Sequence, residues 1–240
     1  MLSGPSASTT ISAEQLLDRF LTSSQRQRRS LLPQLESRAA ELRPLLIDSL
    51  GHLDACGDDW VAGTLIHLLV QEQDALTSDF LCRYPQGWLE LGSAQGIDYL
   101  PLQTALMQKH FEEADRLTSA ILRQLAGPAA QQRGYVYFSE VAPIEGLDLV
   151  SLDRLWNCYS LGRFGFSVQA RLLRSVGGRW PLLWPKLGWK TGGVWTRYPT
   201  GFTWSLEAPE GHMPLVNQLR GVRLMDALLF HPALQQRGVS

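Results

Sequence analysis

Residues 147–178, LDLVSLDRLWNCYSLGRFGFSVQARLLRSVGG, carry the pattern that decides the fold class. Large apolar side chains recur there at steps of three and four residues, as on one face of an α-helix: Leu152, Leu155, Trp156 and Tyr159. Asp148 or Ser151 can cap the start of this helix, because their side-chain oxygens accept from free backbone N–H groups. A second helix is predicted from about residue 165 to 176. The same periodicity runs through most of the chain, so we predict an all-α fold.

Residues 1–84 contain helical patterns throughout. Ser12 can cap a first helix, and Asp58 or Asp59 can cap another that begins at Trp60. Short helices joined by brief loops are typical of a bundle, so an N-terminal helical bundle is predicted over 1–84. The turn that begins at Tyr84 marks the boundary to an α-helical core domain over 85–235, with 236–240 as a short tail.

Within the core domain the patterns are again mainly helical. A longer helix is predicted from about residue 108 to 124, and Gly127-Pro128 breaks it. Residues 134–138, GYVYF, resemble a strand but are too short and isolated to form a real sheet. The Pro-, Gly- and Trp-rich stretch 180–203 predicts short helices and loops. Pro214 is predicted to open a final helix.

The charge is divided unevenly along the chain. From Arg154 onward there are eleven Lys and Arg residues against three acids, so this part carries a net charge of about +8, although the whole chain carries −1. Six of the eight tryptophans lie in the same part. Flat hydrophobic rings interleaved with guanidinium groups suit a planar, apolar ligand or partner surface with an anionic rim.

Nucleic acid is the main alternative ligand, because basic residues also bind phosphates and aromatic residues also stack on bases. Against it, the total charge is slightly negative and no known nucleic-acid motif is present. A protein-interaction module is a further alternative. Several tryptophans, among them Trp184, Trp189 and Trp204, sit beside Leu or Val and could equally belong to the core.

No group of residues predicts catalysis. The five histidines fall in separate settings without metal-ligand spacing: His52, His67, His110, His212 and His231. Glu112, Glu113 and Asp115 could be drawn as a carboxylate cluster, but a solvated helix face explains them better. We therefore predict no catalytic residues, no metal site and no enzyme.

Compartment is predicted from cysteine usage and from the N-terminus. The three cysteines are far apart and are typical of free thiols in a reducing compartment. Residues 1–10 lack the basic and apolar regions of a secretory signal, and no apolar run approaches the roughly 18 residues of a membrane span. We expect a soluble protein without a transit or signal peptide.

The run at 147–169 closely resembles the signature of the genomes-uncoupled-four family, tetrapyrrole-binding regulators of magnesium chelatase in chlorophyll synthesis. Further runs resemble that family in the same order and spacing, together covering about residues 87–233: 106–118, 188–190, 202–204, 208–214 and 217–223. Phe111 stands where Trp is expected and Met213 where Leu is usual. Both differences exchange one apolar side chain for another.

This resemblance implies a core domain with a hydrophobic groove, shaped like a cupped hand, that binds protoporphyrin IX and Mg-protoporphyrin IX. It implies a non-catalytic protein without a prosthetic group, which activates magnesium chelatase through that enzyme's large porphyrin-binding subunit. We expect a monomer in the cytoplasm of a photosynthetic bacterium, with no nucleic-acid partner. Peripheral association with a membrane stays open.

Seven residues are predicted to bind the porphyrin: Phe164, Tyr198, Phe202, Trp204, Asn217, Arg220 and Arg223. The three from Tyr198 to Trp204 lie on a loop that would fold over the disc. The last three follow at three-residue steps on the helix predicted from Pro214, and would face the groove mouth. Apolar burial, at about 25 cal/mol/Å², should set affinity, and the arginines should set orientation through the propionates. Water or an amide oxygen such as that of Asn217 would satisfy magnesium.

Overall fold

The computed structural model describes residues 11–215 and 222–237, and in those ranges it is all-α apart from one short hairpin. Five helices precede residue 84: α1 (Ala13–Thr22), α2 (Gln25–Ser37), α3 (Ala39–Leu50), α4 (Trp60–Leu69) and α5 (Ala75–Arg83). Ser12 caps α1 in a reciprocal arrangement with Gln15, and Asp59 caps α4 by accepting from the N–H of Val61. The predicted starts of both helices are confirmed.

The remaining helices form the rest of the molecule: α6 (Leu100–Met107), α7 (Phe111–Leu125), α8 (Pro128–Arg133), α9 (Gly146–Cys158), α10 (Phe166–Ser175), α11 (Trp180–Lys186), α12 (Val222–Leu229) and α13 (Pro232–Arg237). The α9 helix is buried on almost every side, since it contacts α4, α6, α10 and α13. The stretch that decides the fold class therefore forms the centre of the molecule.

A two-stranded antiparallel hairpin joins β1 (Lys190–Thr191) to β2 (Val194–Trp195). The sequence predicts only short helices and loops there. Gly192 and Gly193 occupy the turn with φ of 57° and 83°, a backbone conformation that glycine adopts at little cost and that tight hairpin turns require. The strand-like run at 134–138 forms no sheet, and residues 138–140 are a single 3₁₀ turn.

One predicted helix start is wrong. Helix α9 begins at Gly146, before Asp148, because the Asp148 carboxylate serves another loop: it accepts from Ser93, Tyr99 and the N–H of Ala94. Pro214 and Leu215 themselves are not helical, and residues 216–221 lie outside the described ranges, so the start of the final helix, which includes Val222 and Leu229, stays a prediction. The Pro214 carbonyl accepts from Gln169 Nε2 at 2.9 Å, and the next N–H donates to a carboxylate, so side chains hold this backbone in a bend.

The helices before residue 84 pack directly on the later ones. Arg154, only 8 % exposed, donates from α9 to the carbonyls of Ala55, Gly57 and Glu90 at 2.8–3.0 Å. Arg29 donates from α2 to the carbonyl of Leu161 at 2.9 Å. Apart from the one to Glu90, these bonds join loop carbonyls of one part of the chain to side chains of the other. In the described ranges no helix is both long and apolar enough to cross a membrane.

Candidate functional site

An open, mainly apolar groove of about 320 Å³ lies between α7, α12 and the segment 134–144. Its apolar lining comes from four parts of the chain: Leu122 on α7; Val136, Val141 and Ile144; Leu215; and Leu224 and Leu228 on α12. Polar groups come from α7 and from two tyrosines outside the helices: Asp115, Arg116, Ser119, Arg123, Tyr135 and Tyr198. An apolar cleft with a few polar side chains is the usual form of a small-molecule site.

A larger cleft, of about 1090 Å³, lies between the N-terminal helices and the core. Much of its charge is already neutralised within the protein, since Arg237 pairs with Asp58 and Asp153, and Arg171 pairs with Glu210. The smaller groove therefore offers the better surface for a large apolar ligand.

Helix α7 forms one wall of the groove, because one of its faces packs into the core and another faces the groove. Phe111, Ala114 and Ile121 are buried in the core, while residues 115, 116, 119, 122 and 123 fall on the face toward the groove. Asp115 is only 2 % exposed and accepts from the N–H of Leu215 at 2.5 Å. Burial, with a smaller effect from Glu112, raises the pKa of Asp115 to about 7.

The opposite wall is aromatic at its edge. Tyr135 and Tyr137 meet edge to face with ring centroids 5.2 Å apart. The Arg133 guanidinium lies over both rings, 4.0 Å from the Tyr137 centroid, and pairs with Glu140 at 2.6 Å. Tyr137 and Phe138 are 47 % and 45 % exposed. This edge therefore presents large flat side chains to solvent beside the groove.

Three of the seven predicted binding residues form one aromatic cluster. Phe202 stacks on Trp204 at 5.6 Å, and Tyr198 meets both rings edge on at 6.0 and 5.9 Å. Tyr198, 44 % exposed, lines the groove. Phe202 is 6 % exposed and Trp204 half-buried, so both support Tyr198 from behind.

The other four predicted residues are placed differently. Phe164 is fully buried in the core, 5.7 Å from Phe111 and 6.4 Å from Trp156, and does not line the groove. Arg223 is exposed on the first turn of α12, with its guanidinium 5.4 Å from the Phe138 ring. Asn217 and Arg220 lie outside the described residues.

His212 has a structural role in the described environment. It is 2 % exposed, its Nδ1 lies 2.6 Å from the Leu187 carbonyl, and its Nε2 accepts from the N–H of Thr203. These contacts assign the proton to Nδ1, and burial lowers the pKa of the ring below its ordinary value. The neutral imidazole thus fixes the loop that carries the aromatic cluster.

Sequence reasoning missed the α7 wall and the α12 wall. Asp115 was interpreted as solvated, although the Leu215 backbone covers it from one hundred residues away in the chain. Leu122 was assigned to the core side of α7, and nothing in the sequence showed that it borders a cavity. One available signal was Arg123, which interrupts the apolar side of α7 directly after Leu122.

Known proteins resemble this chain over more than half of its length. A Ycf53-like protein of Synechocystis is 53% identical over 167 residues, which cover 70% of this chain and 72% of that protein. A protein of Arabidopsis thaliana named tetrapyrrole-binding protein, chloroplastic, is 41% identical over 141 residues, 55% of this chain and 53% of that protein.

A solved structure shows the same fold. The structure of GUN4 from Chlamydomonas reinhardtii superposes with a TM-score of 0.58 at 39% identity, covering 61% of this chain and 93% of that one. The model of the GUN4-like family matches residues 92–232, a range that contains the α7 wall, the aromatic cluster and all of α12. The chain therefore belongs to the GUN4-like family.

Proposed function

We propose that this protein is a non-catalytic tetrapyrrole-binding protein that takes protoporphyrin IX and Mg-protoporphyrin IX into the groove between α7 and α12. One observation carries the proposal: an apolar groove edged by arginines and tyrosines lies in the region that matches the GUN4-like family. The name of the Arabidopsis relative supports the ligand class.

The groove suits a porphyrin for physical reasons. A porphyrin is an apolar disc with two propionates on one edge, and its faces can contact Leu122, Leu224 and Tyr198. Burying a few hundred Å² of such a surface contributes on the order of 10 kcal/mol before the costs of association. An arginine–propionate contact adds only about 0.2–3 kcal/mol, depending on its exposure. The apolar walls should therefore dominate affinity.

Magnesium would enter as part of the ligand. Among the described lining residues of the groove there is no histidine and no cysteine, and hard Mg²⁺ prefers oxygen ligands. Water or an amide oxygen, with Asn217 as the candidate, would complete its coordination. Such weak axial binding suits a protein that must release the complex again.

The same proposal includes a role beside magnesium chelatase. We infer that the protein activates that enzyme by associating with its large porphyrin-binding subunit, in a photosynthetic cell. Support comes from the family resemblance and from relatives in a cyanobacterium and in a chloroplast. The test is the rate of magnesium insertion by purified chelatase with and without the protein, with bovine serum albumin as a control for simple porphyrin solubilisation.

Binding itself is tested by tryptophan-fluorescence titration with deuteroporphyrin IX and its magnesium complex. We expect saturable quenching at micromolar ligand, and weaker binding by about 5-fold or more in Tyr198→Ala, because an aromatic contact of the disc is lost. Tyr84→Ala, which removes a tyrosine of the N-terminal part, is the matched control. If the folded wild type shows no saturable quenching, the proposal is refuted. A gel shift with nucleic acid at physiological salt would then favour nucleic-acid binding.

A further inference from the structure

The charged groups along the α7 wall are separated into two ends. Glu112, Glu113 and Asp115 lie in the first two turns, where Arg116 is already paired with Glu113 at 2.5 Å. Tyr198 borders the same end, since Asp115 and Glu112 both raise the pKa of its hydroxyl, after the larger effect of burial. This end of the groove is therefore acidic.

The other end of the wall carries one unneutralised cation. Arg123 follows Asp115 by eight residues on the same helix, which places it about 12 Å further along the axis and about 80° around it, still on the side that lines the groove. It lines the groove and is half-buried. Among the ion pairs of residues 11–215 and 222–237, none includes Arg123.

We propose that Arg123 receives a ligand carboxylate, so that the porphyrin lies in the groove with its propionate edge toward the C-terminal end of α7 and its opposite edge toward Asp115. This inference rests on the proposed function and deepens it, because it assigns an orientation. Asp115 disfavours a carboxylate at its own end, because its ionised form repels a like charge and a neighbouring carboxylate makes its ionisation still more costly. Arg123 supplies five N–H donors in a geometry that matches a carboxylate.

The orientation also assigns Asp115 a positioning role. The bond that it accepts from the Leu215 N–H fixes the carboxyl at the acidic end of the groove, which Tyr198 also lines. A propionate placed there would have to lose its hydration beside a second carboxyl. The reversed orientation is thus disfavoured by Asp115, and Arg116, the cation among the described lining residues of this end, is already paired with Glu113.

The experiment compares deuteroporphyrin IX with its diamide, in which both propionates are primary amides of nearly the same shape. Fluorescence titration gives the affinity ratio of diacid to diamide for each variant. We expect wild type to prefer the diacid, and Arg123→Gln to lower that preference by about 3- to 10-fold, as for a partly sheltered ion pair. Arg123→Lys should retain part of the preference. Arg26→Gln, at an exposed arginine on α2, is the matched control and should leave the ratio unchanged.

Other outcomes overturn the orientation or the function separately. If Arg123→Gln weakens diacid and diamide equally, Arg123 does not meet a propionate. If Asp115→Asn tightens the diacid alone, the propionates lie at the acidic end. Should Arg123→Gln fail to fold, a wild type without any diacid preference still refutes the proposal. If neither probe binds folded wild type, the proposed function itself fails.

Discussion

Asp115 is the groove residue whose charge depends most on burial. A carboxyl with a pKa near 7 in the folded protein and near 4 in the unfolded chain binds more protons when folded. Stability therefore falls as pH rises between about 4 and 7, and is unaffected by this group above that range. The difference corresponds to on the order of 4 kcal/mol.

We expect Asp115→Asn to remove this pH dependence, because asparagine can still accept from the N–H of Leu215 but carries no charge. Between pH 5 and pH 8, the variant should gain on the order of 3 kcal/mol relative to wild type. Urea denaturation at both pH values measures the change. Asp98→Asn, at an exposed aspartate that also accepts a backbone N–H, is the control. Parallel pH profiles of wild type and Asp115→Asn would show that the buried carboxyl does not titrate in this range.

At the scale of elements, the contact of α4 with the end of α9 leaves no room for a side chain. A Cβ at Gly63 would lie 2.0 Å from the Cys158 carbonyl oxygen and 3.1 Å from Tyr159 Cα, and neither backbone atom can move alone. The two helices meet there through their backbones.

Gly63→Ala should therefore force α4 away from α9 and lower the free energy of unfolding by about 2 kcal/mol or more, despite the better helix propensity of alanine. Gly51→Ala is the control, because Gly51 has a right-handed conformation and its Cβ would approach the Asp48 carbonyl at 3.2 Å and the flexible Arg83 side chain at 3.5 Å. Thermal and urea unfolding measure both variants. Equal stability of the two would show that the helices can separate at little cost.

Sequence patterns predicted the helices well where one face is simply apolar. Ser12 and Asp59 cap as expected, and Asp59 does so although its second carboxylate oxygen pairs with Arg28, because the first oxygen stays available to the N–H of Val61. The prediction failed at Asp148, where a distant element uses the same atoms, since both carboxylate oxygens serve the loop around Ser93. Such competition arises only in the folded chain.

The groove was predictable in kind but only partly in position. The excess of arginine and aromatic residues indicated the ligand class, and Tyr198 is placed at the groove. The same excess led to the prediction that Phe164 binds the porphyrin, although Phe164 is buried in the core. A phenylalanine in the core and one that lines a groove cannot be told apart from the sequence. Leu224 and Leu228 repeat at four residues like any core position of a helix.

At the scale of the whole molecule, the N-terminal helices stabilise the core without lining the groove. Every lining residue of the groove within 11–215 and 222–237 lies between Asp115 and Leu228. Bonds such as those from Arg154 and Arg29 nevertheless join the two parts. We retain the boundary at residue 84 as a proposal.

Removal of residues 1–84 should therefore lower the melting temperature by several degrees and leave porphyrin affinity within about 2-fold. Differential scanning calorimetry and the fluorescence titration separate these two effects. Affinity lost by a truncated chain that stays helical by circular dichroism would mean that the ligand also touches the N-terminal part. An unchanged melting temperature would mean that the joining bonds contribute little.

Four indole rings form a cluster at the hairpin, with Trp184 in contact with the other three. Trp180 stacks on Trp184 at 5.2 Å, Trp189 lies parallel to Trp184 at 5.8 Å and 10°, and the tilted Trp195 ring lies 5.5 Å from Trp184. Excitation energy transfers between rings this close, so light absorbed by one indole is emitted mainly by the indole with the lowest excited-state energy. A bound pigment that quenches the fluorescence of one of these indoles would therefore also reduce the emission that originates from light absorbed by the others.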